Sequence, residues 1–146
     1  MIRRSLAALG LAGLAACTPA EPVEPPRKLT STNADTRSLR AAAFQFARDS
    51  AVAQVIADVC ADEGLRLRGG SPRAQLFAFV RKMQALGYSD EQTRDAILRL
   101  DQDDGGRAAI RYLQARGVSP GDKDRLCLVG RSELAQGTSL GRLLAR

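Results

Sequence analysis

Three cysteines and no histidine frame the chemistry open to this 146-residue chain. Without imidazole, a serine or cysteine nucleophile lacks its usual general base. Cys17 closes the run Leu14-Ala15-Ala16-Cys17, behind a basic start (Arg3, Arg4) and a stretch of small and apolar residues. Charged, apolar and small segments in that order read as an export signal. Its ending has the pattern of a bacterial lipobox, in which the Cys17 thiol is acylated, by palmitate or similar chains, and begins the mature protein. The apolar stretch Ser5–Ala16 holds 12 residues, short of the ~20 that span a bilayer. The expectation is therefore a lipid-anchored protein, each buried methylene contributing ~0.8 kcal/mol and several chains making attachment stable. A plain secretory signal is the alternative. Thr18, and not aspartate, follows Cys17, which by the sorting rule of lipoproteins favours the outer membrane, with the domain facing the periplasm.

If Cys17 carries lipid, Cys60 and Cys127 remain, and in an oxidising compartment a disulfide is their default state. Two buried free thiols, or a metal pair, are the other readings. A metal site is disfavoured, because structural zinc wants four ligands and the chain offers two thiolates and no imidazole. Neither metal nor cofactor is expected.

Other stretches mimic sites without completing them. Asp101-Gln102-Asp103-Asp104-Gly105-Gly106 places acids and a glycine as a calcium loop does, but its fifth position is Gly105 and its twelfth is Tyr112, where a bidentate glutamate is required. An acidic helix N-terminus explains the same residues through the helix dipole. Gly64–Ser71 echoes a phosphate-binding loop, yet Gly70 stands where its lysine belongs. Gly130-Arg131-Ser132-Glu133-Leu134 lacks the closing glycine of a nucleophile elbow. A carboxylate pair alone suffices for glycoside cleavage, but Asp90, Glu91, Asp101 and Asp104 fall at expected helix starts, where capping accounts for them. No convergent catalytic set emerges, so the chain reads as a non-enzyme.

Charge is mildly basic. Setting aside Arg3 and Arg4 of the signal leaves 20 basic residues against 16 acidic, a net +4. Arg66, Arg68, Arg73, Arg81 and Lys82 gather near one loop and helix, and form a candidate patch for lipid phosphates or another anionic partner; a solvated face is the plainer reading. Nucleic acid is not expected as a partner, since no recognition motif appears. The six aromatic residues, Phe44, Phe46, Phe77, Phe79, Tyr88 and Tyr112, lie at helical spacings that suit a core.

These side chains need elements to position them. Residues 18–36 hold four of the six prolines and show no helical or strand period, as in a solvated spacer. From Ser38 to Asp62, Leu39, Ala43, Phe46, Val52, Ile56, Val59 and Cys60 recur at helical steps, with a bend or break allowed at Asp49-Ser50. Ser71-Pro72 opens a second helix, burying Leu76, Phe77, Val80 and Met83. Ser89–Gln92 reads as a capping box for a third, with Ala96, Ile97 and Leu100 inward. After a turn and acidic helix entry at Asp103–Gly106, a fourth carries Ala109, Ile110, Tyr112 and Leu113. A fifth spans about Asp122–Ala135 with Leu126, Val129 and Leu134, and a last turn presents Leu140, Leu143 and Leu144. Only Leu65-Arg66-Leu67-Arg68 alternates as a strand would. The expected fold is all-α, a compact bundle of about five helices tied by a disulfide. It divides into a signal at 1–16, a lipidated cysteine and disordered spacer at 17–37, and a helical domain at 38–146.

The segments Leu86–Ser89, Gly117–Gly121 and Cys127–Glu133, with Cys60 closing the first helix, resemble a family of small exported proteobacterial proteins known only as a domain of unknown function. The resemblance covers about Asp49–Arg146. It implies a periplasmic helical domain with Cys60 and Cys127 paired, and implies no activity; the lipobox and proline-rich spacer depart from the plain signal of that group. The expected role is a membrane-tethered binding or adaptor domain in the cell envelope, meeting an envelope protein or anionic envelope polymer. A small enzyme or inhibitor acting on peptidoglycan or a similar polymer is the alternative.

Overall fold

The computed structural model describes residues 33–100 and 102–146, so Cys17, the expected signal and most of the expected spacer lie outside it. Five helices form: α1 (Asn33–Val59), α2 (Pro72–Ala85), α3 (Asp90–Leu98), α4 (Gln102–Gln114) and α5 (Lys123–Gln136). The all-α bundle expected from periodicity is the fold observed.

The long α1 is the spine, with each of the other four helices packed against it. Its apolar face is divided between two clusters. Leu39 and Ala43 meet Phe79 and Met83 of α2 and Ala96 of α3. Val52, Ala53, Ile56 and Cys60 meet Ala109 of α4, Leu126, Cys127 and Val129 of α5, and Leu140 and Leu144 of the C-terminal turn. Asp49 lies between these two groups in sequence, only 2% exposed. Sequence reasoning allowed a break here, but α1 runs through unbroken. Arg48 explains this: its Nε and Nη2 donate to Asp49 Oδ1 at 2.8 and 2.6 Å, pairing a carboxylate that would be costly to bury alone. Ser50 likewise turns outward to α2, donating to Gln75 Oε1.

Capping fixes the starts of α2, α3 and α5. Ser71 Oγ accepts Ala74 N–H with Pro72 at the first helical position, and Ser89 with Gln92 completes both halves of the capping box. The fifth helix starts on Asp122, which accepts from Arg125 N–H, and stops at Gly137.

Four expectations need correction. On α2 the buried face is Gln75, Phe79 and Met83, whereas Leu76 and Phe77 are exposed. Their removal from the core follows from Ser50 and Leu143: Gln75 bonds both, which rotates its neighbours outward. Val59 and Ile110 also face outward. Asp103–Gly106, expected as a turn and acidic helix entry, form no turn but the acidic first part of α4 itself. There Gly105 lets α4 approach α1, since a Cβ would sit 3.3 Å from that of Ala47. Finally, Arg66–Leu67 does pair as a short strand (β1), antiparallel to Leu144–Ala145 (β2), with Arg66 opposite Ala145. Alternation over four residues is too short to show in sequence, and the partner strand is nearly 80 residues away.

Candidate functional site

The segment Cys127–Glu133 acquires a physical meaning on α5. The sulfurs of Cys60 and Cys127 are bonded, their Cα atoms 5.7 Å apart, and both residues are fully buried. Charges flank the bond. Lys123, one helical turn before Cys127, donates to Asp62 at 2.7 Å, and Arg131, one turn after it, pairs with Glu63. The acids two and three residues after Cys60 thus meet cations placed four residues either side of its partner. The Lys123 hydrogen bond and charge hold the Asp62 carboxyl below its usual range, and Asp62 in turn raises Lys123. Gly130 allows the close docking behind the bond, because a Cβ would come within 2.6 Å of Ile56 Cγ2.

Glu133 is the surprise of this segment. Read in sequence as part of an incomplete elbow, it is a buried carboxylate that gathers three elements. Its Oε1 accepts from Tyr112 Oη at 2.6 Å and from Arg116 Nε at 2.9 Å, both on or beside the end of α4. Its Oε2 accepts from Thr138 Oγ1, whose oxygen in turn accepts Gly141 N–H at 3.0 Å. Arg116 also lies 3.5 Å from the Tyr112 ring centroid, and Arg48 of α1 lies 4.9 Å from it. Burial alone would raise the Glu133 pKa; the hydrogen bonds from Thr138 and Tyr112 and the charge of Arg116 outweigh it and hold the carboxyl below its ordinary value. Burial, then the bond to Glu133, raises the Tyr112 phenol. A carboxylate so fully engaged is a poor proton acceptor, and its geometry is that of a structural hub.

An open apolar groove of about 340 Å³ lies between α1, α4 and the loop from Val118 to Lys123. Val55, Val59, Ile110, Leu113 and Leu126 form its walls, and Ser119-Pro120-Gly121 its rim. Val55, Val59 and Ile110 are 43%, 40% and 58% exposed. Sequence periodicity assigned Val59 and Ile110 to the core; they sit at the edge of the apolar stripes, where only the packing of α4 on α1 decides between core and groove. The carboxylate at the rim, Asp122, is committed to capping α5.

The five residues of the expected anionic-partner patch do not share one setting. Arg66 lies on β1, and Arg68 donates from Nε to the Arg142 carbonyl at 3.0 Å. Arg73 stacks over the exposed Phe77 ring at 5.5 Å. Arg81 lines a shallow recess with Phe77, whereas Lys82 borders a groove with Phe79. Neighbours on a helix diverge by about 100°, so sequence proximity did not make Arg81 and Lys82 one surface. Lipidation of Cys17 falls outside the described residues. Among those residues no group of three or more His, Cys, Asp or Glu side chains is placed to hold a metal ion, and no helix is long and apolar enough to cross a membrane.

Fold and site together define a disulfide-tied helical domain built around one long helix, with a buried carboxylate hub and an open apolar groove. The chain belongs to a family of unknown function, DUF5333, whose model matches residues 40–145. The match begins earlier than the resemblance read from sequence motifs and takes in most of α1. Neither a curated protein nor a solved structure matches the chain.

Proposed function

We propose that this is a membrane-tethered periplasmic lipoprotein whose helical domain acts by binding, as an adaptor in the cell envelope. The tether is Cys17 with the spacer that follows it, and the Leu14–Cys17 pattern supports it. The binding reading rests on the groove between α1, α4 and the loop leading into α5, which leaves Val55, Val59 and Ile110 partly exposed to solvent. Side chains of this kind at the centre of a contact, ringed by polar residues, are what a protein partner buries. The occupant we assign is a row of apolar side chains on another envelope protein. The alternative, an enzyme or inhibitor acting on an envelope polymer, is the weaker reading, because Glu133, Asp122 and Asp90 have structural employment. Glu133 binds Tyr112, Arg116 and Thr138, Asp122 caps α5, and Asp90 accepts from Gln84.

A photocrosslinking residue placed at Ile110 in living cells tests the binding reading. The expected result is one defined adduct with an envelope protein, lost when Val55→Asp is added and absent when the probe sits at Glu91, outside the groove. Equal adducts from both positions, or an adduct indifferent to Val55→Asp, would sink the assignment. The tether is tested separately: Cys17→Ser is expected to release a soluble, folded domain, and continued membrane association of that variant counts against lipidation.

A further inference from the structure

A second groove of about 340 Å³ lies where α1, α2 and the C-terminal turn meet, and it shares no lining residue with the first. Its apolar lining includes Ala42, Phe46, Ala78, Phe79, Met83 and Leu143. The Phe46 and Phe79 rings stack on each other in that wall, with centroids 4.5 Å apart. The charges on the groove are of one sign. Lys82 and Arg142 line it, no acidic residue does, and neither cation has a carboxylate partner among the described residues. Arg142 is nevertheless anchored, its Nη1 donating to the Gly137 carbonyl at 2.7 Å.

The remaining polar lining side chains make hydrogen bonds within the protein. Gln75 Nε2 donates to the Leu143 carbonyl at 2.8 Å while its Oε1 accepts from Ser50, and Gln45 Nε2 donates to Ser139 Oγ at 3.0 Å. A peptide laid here would find few partners for its backbone amides, and an unpaired buried amide is costly. A hydrocarbon chain has no such requirement. The groove therefore offers an apolar bed and free positive charge, the complement of an amphiphile with an anionic head and a plain chain; its volume falls in the range of small-molecule sites.

We propose that this groove binds a single-chain fatty carboxylate, its chain against Phe46, Phe79 and Met83 and its head at Lys82 and Arg142. The reading is independent of the partner groove, since the two sites have no residue in common.

The test is calorimetric titration of the full chain carrying Cys17→Ser, in detergent-free buffer, with dodecanoate below its micelle concentration and with dodecan-1-ol. Expected is saturable one-to-one binding of dodecanoate, about tenfold or more tighter than the alcohol. Lys82→Gln with Arg142→Gln is expected to remove that preference while leaving alcohol binding in place. Ala78→Trp, which fills the groove, should abolish both, and Arg81→Gln, whose side chain lies outside the groove, should change neither. Circular dichroism checks that each variant is folded. The proposal is overturned by equal affinities for carboxylate and alcohol, by a folded chain that does not bind dodecanoate, or by a preference that survives in the double glutamine variant. Tighter binding of an acidic-ended peptide than of dodecanoate would also overturn it, and would assign the groove to peptide.

Discussion

Tyr112 on α4 donates its phenol hydrogen to Glu133 on α5 across 2.6 Å, and through Thr138 the same carboxylate reaches the turn that carries Gly141. The bond joins α4, α5 and the C-terminal turn at one buried charge. Gly141 shows how tight the arrangement is: a Cβ there would fall 1.9 Å from the Glu133 carbonyl oxygen. The turn can close over α5 only with glycine at that point.

This hub makes stability depend on pH in a defined direction. The folded-state pKa of Glu133 lies below its ordinary value. Its charged form therefore stabilises the fold fully above the ordinary glutamate value, and that contribution is lost as pH falls through the depressed folded value. Glu133→Gln is expected to destabilise the domain at neutral pH by about 1–3 kcal/mol, since Arg116 loses a charged partner. Thermal melts of both chains across the acid range check this: the gap between them should narrow as pH falls. A gap that stays constant would mean the carboxylate's charge is not what stabilises the fold.

The Cys60–Cys127 bond closes a loop across 67 positions of sequence. Chain entropy assigns a cross-link of that span ~4 kcal/mol, a large part of a typical domain's stability. Reduction, or Cys60→Ala with Cys127→Ala, is expected to lower the melting temperature markedly. The flanking pairs Lys123–Asp62 and Arg131–Glu63 lie nearer the surface and contribute far less. Matching melts with and without reductant would show that the bond is dispensable.

Two helical glycines should respond oppositely to alanine. At Gly130 a Cβ meets Ile56 Cγ2 at 2.6 Å and Leu65 Cδ1 at 3.0 Å, so Gly130→Ala forces α5 from α1 and costs about 1–3 kcal/mol. At Gly106 a Cβ meets nothing within 4 Å, and Gly106→Ala should stabilise by about 0.5–1 kcal/mol through helix propensity alone. Denaturant midpoints of the two variants give both signs in one experiment.

Calcium should leave the melting temperature unchanged. Asp103 and Asp104 of the calcium-like stretch belong to the start of α4, where Asp104 pairs with Arg107 at 2.8 Å and Gly105 is packed on Ala47. Differential scanning calorimetry with millimolar calcium and with chelator checks this, and a calcium-dependent rise in melting temperature would restore the loop reading.

Much of the fold is local, and local signals are legible in sequence. The Ser71-Pro72 start, the Ser89–Gln92 capping box and the Gly137 stop depend on residues within one helical turn, and the structure keeps them all. The helical period of α1 placed Leu39, Ala43, Val52, Ile56 and Cys60 inward, as observed. What failed was assignment at the margins of apolar stripes. Val59, Ile110, Leu76 and Phe77 have core chemistry, but their burial depends on which helix lies opposite.

The sequence by itself determined the helical class and the capped starts of α2, α3 and α5. These follow from backbone capping and periodicity, each decided within a short span of chain. Tertiary structure alone decided that Asp49 is buried with Arg48, that Glu133 ties α4 to the C-terminal turn, and that two apolar grooves stay open. The burial of Asp49, the Glu133 hub and the grooves depend on which elements pack together, and a burial preference cannot say which surface arrives to satisfy it.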